Sequence, residues 1–222
     1  MQKAIHSNTT YDHLIYLPNE YSIREKWPVI FYLHGVGGQG DYLEVLKAHG
    51  LPKLLEQRDD LPFVVISPQC PPDEQWSPAL LGVLLDHVAA QYSIDDNRIY
   101  LTGIGSGGAA VWQWAAKEPE RFAAIAPVCG HGNPHEVCKL RDVPVWTFHG
   151  ARDRIVPISE TQSMVLALQL CGGNVAFTIY PEAEHDSWTE AYSNPQLYSW
   201  FLEHNRTSFC EPALDPVLED LD

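Results

Sequence analysis

The stretch Ile99-Tyr100-Leu101-Thr102-Gly103-Ile104-Gly105-Ser106-Gly107-Gly108 reads as a strand that bends through glycines into a helix rich in Ala and Trp. Glycines at such a junction allow a sharp turn and a close backbone approach. Working outward from it, short apolar runs alternate with amphipathic ones in both directions. Upstream, Trp27-Pro28-Val29-Ile30-Phe31-Tyr32-Leu33-His34 is a continuous β-prone run, as a strand covered on both faces should be. Residues 63–68 form another such run, and the partly alternating 11–17 reads as an early or edge strand. Helices are predicted over about 42–57 and over 79–91, the latter with Leu80, Leu81, Leu84, Leu85 and Val88 on one stripe. Downstream, 122–128, 143–148 and 175–180 read as strands. Ser159 is expected to cap a helix that Gly172-Gly173 stops, and a last helix is expected over about 189–204. This alternation predicts an α/β fold, a mostly parallel central sheet with helices on both faces and right-handed crossovers. No repeat or linker divides the chain. One domain is expected over 1–206, followed by an acidic and flexible tail over 207–222.

At 222 residues, the size suits one domain, and 45% hydrophobic residues can fill its core, which excludes a wholly disordered chain. No apolar run approaches the ~20 residues of a membrane-spanning helix. The beginning, Met1-Gln2-Lys3-Ala4-Ile5-His6-Ser7, lacks the apolar stretch of a secretory signal, so a cytoplasmic protein is expected. Fourteen Lys and Arg against 29 Asp and Glu give a formal charge of -15, which repels phosphate backbones and anionic membrane surfaces. Neither nucleic acid nor membrane is therefore an expected partner; a small molecule is. Oligomeric state has no signature here. The five cysteines are dispersed without a CxxC, and in a chain lacking a signal they are expected to be reduced, mostly buried thiols. The sequons Asn8-Thr9-Thr10 and Asn205-Arg206-Thr207 matter only on an exported protein.

In an open parallel sheet, sites form at the carboxyl ends of strands, and four signals fall there. In Leu33-His34-Gly35-Val36-Gly37-Gly38 the glycines leave amides free to face an anion, although a plain tight turn has the same composition. The glycine junction at 103–108 lacks the G-x-G-x-x-G spacing and the P-loop lysine, which argues against nucleotide binding. Its small residues, two positions either side of a central one, match the nucleophile elbow of α/β-hydrolases. Asp153, in His149-Gly150-Ala151-Arg152-Asp153, can orient an imidazole, or can cap its own turn or pair with Arg152 or Arg154. His185 follows the last strand in Tyr180-Pro181-Glu182-Ala183-Glu184-His185-Asp186-Ser187-Trp188. Elbow, acid, histidine is the chain order of this fold, and the conjunction is more specific than any member.

From about Ile30 to His204 the chain resembles a small α/β-hydrolase of the phospholipase/carboxylesterase group, in the branch with poly(3-hydroxybutyrate)-depolymerase-like and feruloyl-esterase-like proteins. The resemblance rests on Tyr32-Leu33-His34-Gly35, Ser67-Pro68-Gln69-Cys70-Pro71, Tyr100-Leu101-Thr102-Gly103, Arg121-Phe122-Ala123-Ala124-Ile125-Ala126-Pro127 and the two segments carrying Asp153 and His185. It implies hydrolysis of small or aryl carboxylic esters through a Ser-Asp-His triad, with neither metal nor organic cofactor. The amides of Val36 and Ser106 would form the oxyanion hole. Gln69 and the aromatic walls Trp76 and Trp188 would contact substrate, although Trp188 can equally pack the final helix; Trp112 and Trp114 are expected in the core. The set His131-x3-His135-x2-Cys138 lacks a fourth protein ligand, and no metal site is expected there.

The sequence departs from the family at the nucleophile. Aligned on Gly103 and Gly107, the nucleophile slot is Gly105, which has no side chain. Ser106 lies one place late, with β-branched Ile104 where the turn wants a small residue, and one step along a helix start rotates a side chain by about 100°. Three readings stay open: an engineered chain whose natural residue is serine, a natural relative that binds a ligand or positions water, and a shifted turn in which Ser106 is the nucleophile.

Overall fold

Every residue of the strand Trp27–Leu33 is buried, because the sheet covers its two sides and helices cover its two faces. A computed structural model describes residues 2–21 and 26–206; the expected tail over 207–222 lies outside the described residues. The strands are β1 (Gln2–Ile5), β2 (His13–Tyr16), β3 (Trp27–Leu33), β4 (Val64–Pro68), β5 (Ile94–Ile104), β6 (Ala124–Val128), β7 (Val145–Gly150) and β8 (Val175–Tyr180). They make one sheet in the order β1-β2-β4-β3-β5-β6-β7-β8. The six strands from β4 to β8 in that order are parallel, and β1 and β2 extend the sheet antiparallel.

The helices are α1 (Gly50–Gln57), α2 (Pro78–Gln91), α3 (Ser106–Lys117), α4 (Ile158–Leu170), α5 (Trp188–Ser193) and α6 (Pro195–Glu203). Strand side chains alternate between faces. Val29, Phe31 and Leu33 therefore pack with Leu84 of α2, Val111 of α3 and Leu168 of α4, while Ile30 and Tyr32 pack with Leu51 of α1, Tyr192 of α5 and Phe201 of α6. Register then lines up the functional ends. Leu33 pairs with Gly103, Ile104 with Val128, Val128 with Phe148 and His149 with Ile179, so the loops after β3, β5, β6, β7 and β8 emerge side by side.

The local departures have identifiable causes. β2 is not an edge strand, since β1 pairs outside it. The segment 42–57 is a 3-10 turn (Leu43–Ala48) and then α1, the two separated by extended His49 and α1 opened by Gly50, whose φ of 60° lies outside the right-handed helical range. The last predicted helix is two, because Pro195 cannot continue α5 and instead opens α6, with the Asn194 side chain accepting from the Gln196 amide. Ser159 is not a cap: α4 begins at Ile158 after Pro157, with no capping side chain.

The cysteines also need correcting. Cys138 and Cys171 form a disulfide, their Cα atoms 5.4 Å apart, which ties the loop before β7 to the end of α4; Cys70 and Cys129 are buried free thiols. The two partners are 33 positions apart in sequence, and only the packing of α4 brings them together. Among the described residues, no helix is long and apolar enough to cross a membrane.

Candidate active site

β5 ends at Ile104 and α3 starts at Ser106, so the whole reversal of direction falls on Gly105. Its backbone has φ 54° and ψ -116°, a conformation L-residues adopt only under strain. The Gly105 amide donates to Val128 O at 3.1 Å and its carbonyl accepts from the Ala109 amide at 3.0 Å, which holds the bend from both sides. Gly107 is needed for a different reason: a Cβ there would stand 2.1 Å from Leu33 O, so α3 can lie against β3 only without a side chain.

An ideal Cβ on Gly105 would stand 3.4 Å from His185 Nε2 and 3.7 Å from its Cε1. The other ring nitrogen, Nδ1, lies 2.8 Å from Asp153 Oδ2. The sheet thus brings Gly105, His185 and Asp153 into one line. Ser106 is at the first position of α3, and its hydroxyl makes no hydrogen bond to the imidazole. The shifted register, with Ser106 as nucleophile, therefore lacks its contact here.

Asp153 is buried and heavily solvated by the protein. Its Oδ1 accepts from the amides of Ile155 and Val156 at 2.8 and 2.9 Å, and its Oδ2 also faces His149 Nε2 at 3.2 Å. Burial works to push its pKa up, but the bonds from His185 and from those amides outweigh it and hold the carboxyl below the ordinary carboxylate range. Arg152 pairs with Glu182 instead, so among the described residues Asp153 has no arginine partner. His149 is fully buried, with Nδ1 on Thr161 Oγ1 at 2.8 Å and Nε2 on Val156 O at 2.9 Å. It sits behind Asp153 as a second support, and sequence reasoning gave it no role. Only its place at the end of a buried strand could have suggested one.

The turn after β3 is built to stay put. Val36 opens a short 3-10 turn (Val36–Gly38) as Ser106 opens α3, and the first amides of a helix have no acceptor within it. Both residues line one cavity of about 800 Å³, together with Trp76, Trp112, Asn133 and Met164. Gln69, expected to touch substrate, instead lies buried beneath this turn, donating to Gly38 O at 2.9 Å and Tyr42 O at 3.2 Å. His34 is buried too. Its Nδ1 donates to Gly35 O at 2.6 Å and its Nε2 accepts from the Cys70 amide at 2.9 Å, which defines a neutral ring, and burial pushes it down to about 4.

Of the expected aromatic walls, Trp76 lines the cavity, its Nε1 donating to His34 O at 3.2 Å. Trp188 does not line it; it stands edge-on to His185 with ring centroids 5.4 Å apart and packs against the core around α5 and α6. Trp114 is core, as expected, whereas Trp112 is buried but also forms part of the cavity wall.

Cys129, Asp153 and His185 bring one sulfur, oxygen and nitrogen within 4.8 Å of one another, a set that could hold a metal. Burial pushes the Cys129 thiol up to about 12, so it keeps its proton, which opposes both metal ligation and nucleophilic attack. The sequence set of His131, His135 and Cys138 loses its thiol to the disulfide.

Comparison with known proteins places this chain in a family. Residues 77–198, more than half the chain, match the dienelactone hydrolase family. The chain belongs to the dienelactone hydrolase family. The resemblance to the phospholipase/carboxylesterase group therefore holds at the level of the α/β-hydrolase superfamily. A provisionally named carboxymethylenebutenolidase of Salmonella typhimurium (strain LT2) is 28% identical over 113 residues, 46% of this chain and 42% of that protein. A bifunctional acetylxylan esterase/xylanase of Neocallimastix patriciarum is 26% identical over 133 residues, 58% of this chain and 18% of that protein. This chain thus spans less than half the length of those curated relatives. Among solved structures, a thermostable esterase superposes with a TM-score of 0.77 at 27% identity, covering 93% of this chain and 63% of the other.

Proposed function

We propose that this member of the dienelactone hydrolase family is a carboxylic-ester hydrolase of the elbow-acid-histidine type, acting on small or aryl esters, whose nucleophile position is Gly105. The observation that carries the reading is the direction of the His185 ring. Nδ1 donates to Asp153, so Nε2 keeps its lone pair, and that nitrogen faces the Cβ direction of residue 105 at 3.4 Å. A residue at 105 is thus where a general base can take a proton. The amides of Val36 and Ser106 are the donors for a developing oxyanion, and being main-chain groups they do not depend on the side chain at 105. The ester would lie in the cavity bounded by Trp76, and no step calls for a metal or an organic cofactor.

A fluorophosphonate probe tests this directly. The Gly105→Ser chain should be labelled at residue 105, and labelling should vanish in the Gly105→Ser/His185→Ala chain. A folded Gly105→Ser protein that stays unlabelled would remove the basis of the reading. A probe adduct on Ser106 of the unaltered chain would establish the shifted register instead. A second reading, a ligand-binding relative without chemistry, draws on the glycine itself; it predicts no ester turnover by the unaltered chain even at high enzyme concentration.

A further inference from the structure

We infer that water seated beside Gly105 is the nucleophile of this chain, so that esters are hydrolysed in a single displacement with no acyl-enzyme. The inference rests on the ester-hydrolase reading above. Among the described residues other than its neighbours in the chain, a Cβ on Gly105 would meet two atoms within 4 Å, Nε2 and Cε1 of the His185 ring. The space immediately around that Cβ position is therefore bounded by the base. A water oxygen bonded to Nε2 at about 2.8–3.0 Å fits within it.

Among the described residues, the two side chains that could compete for the role are not placed for it. The Ser106 hydroxyl is not bonded to the ring, and the Cys129 thiol is fully buried behind the elbow. His185 keeps the tautomer the step needs, because Asp153 Oδ2 accepts the hydrogen bond from Nδ1–H. In that step the water oxygen forms a bond to the ester carbonyl carbon while His185 Nε2 takes one of its protons. The carbonyl oxygen becomes an oxyanion beside the amides of Val36 and Ser106. The intermediate then breaks its bond to the leaving alcohol, which receives the proton from Nε2. Acid and alcohol leave, and the ring returns to neutral. Nothing remains attached to the protein. Because water must attack without prior covalent activation, esters of weakly basic alcohols, such as phenols, are the substrates this arrangement favours.

The test uses the full chain with p-nitrophenyl acetate, in four forms: unaltered, His185→Ala, Gly105→Ala and Gly105→Ser. Expected is turnover by the unaltered chain about 10²–10⁴-fold above His185→Ala, the range a positioned general base supplies. No pre-steady-state burst of nitrophenolate should appear, and no acetyl adduct in the intact mass. Gly105→Ala, whose methyl would occupy the water's place, should fall to the His185→Ala level while its circular dichroism stays native. Three results would overturn the inference: a burst equal to the enzyme concentration, a folded Gly105→Ala chain with undiminished turnover, or an inactive unaltered chain beside an active Gly105→Ser. If Gly105→Ala fails to fold, the burst and mass measurements on the unaltered chain decide. An inactive but folded Gly105→Ser would instead bring down the ester-hydrolase reading itself.

Discussion

Replacing Gly105 by serine adds one hydroxymethyl group at the place where the sheet has already assembled its partners. The new Cβ would stand 3.4 Å from His185 Nε2, an ordinary van der Waals distance, so no part of the ring has to move. From there the hydroxyl can reach Nε2 at the ~2.7–3.0 Å of a good hydrogen bond. Removing the nucleophile from an intact triad lowers turnover by about 10⁶ in a well-studied protease, with donors and binding leaving about 10³–10⁴ over water. The reverse change here should therefore raise kcat for p-nitrophenyl acetate by at least about 10³-fold, in proportion to how well the rotamer meets the ring. The gain has a cost: at φ 54° a side chain strains the backbone by about 1–3 kcal/mol. For a chain of this size each kcal/mol corresponds to about 2–4 °C in melting temperature. The assay pairs initial rates with differential scanning calorimetry on Gly105→Ser, with and without His185→Ala. A folded Gly105→Ser chain that gains less than about tenfold, or whose gain survives loss of His185, would refute the argument that residue 105 faces the imidazole.

Asp153→Asn should keep the loop geometry but let the imidazole settle in the wrong tautomer, lowering His185-dependent turnover by up to about 10⁴-fold; unchanged rates would show that Asp153 only supports its turn. Burial lowers His34 from 6.5 to about 4, so between those values the unfolded chain takes up a proton that the folded one refuses. That stability is intact above pH 6.5 and is lost as pH falls toward 4, up to about 3 kcal/mol; urea titrations at pH 7 and pH 4 should show a smaller loss in His34→Asn. Cys138→Ser opens a loop whose ends are 33 positions apart and should lower stability by about 2–4 kcal/mol, as reduction of the unaltered protein should; equal urea midpoints with and without reductant would contradict the disulfide.

The α/β fold was legible because its strands are continuous apolar runs and its helices carry one-sided stripes, signals that survive in one dimension. β8 falls where the alternation put it, Val175–Tyr180, and α2 starts one residue early because Ser77 caps it. Breaks inside elements were less legible. Pro195 opens a new helix inside what reads as one helical pattern, and Gly50 takes a φ of 60° at a place where the Tyr32 ring leaves no room for a Cβ, a contact that no local stretch records.

By itself the sequence determined the order of elements, the glycines of the elbow, and the chain order of Asp153 and His185, since these are written in residue types and local spacing. Which residues meet was decided only by the tertiary structure. The choice of residue 105 over 106 depends on a ring direction set from another strand's loop, 80 positions downstream. Gln69 became a brace instead of a substrate contact because Gly38 and Tyr42 present carbonyls to it, and two of five cysteines became a disulfide because α4 packs beside the loop carrying Cys138. Long-range proximity of this kind is a product of sheet register and helix packing, which sum over many weak contacts and leave no mark on any single stretch of chain.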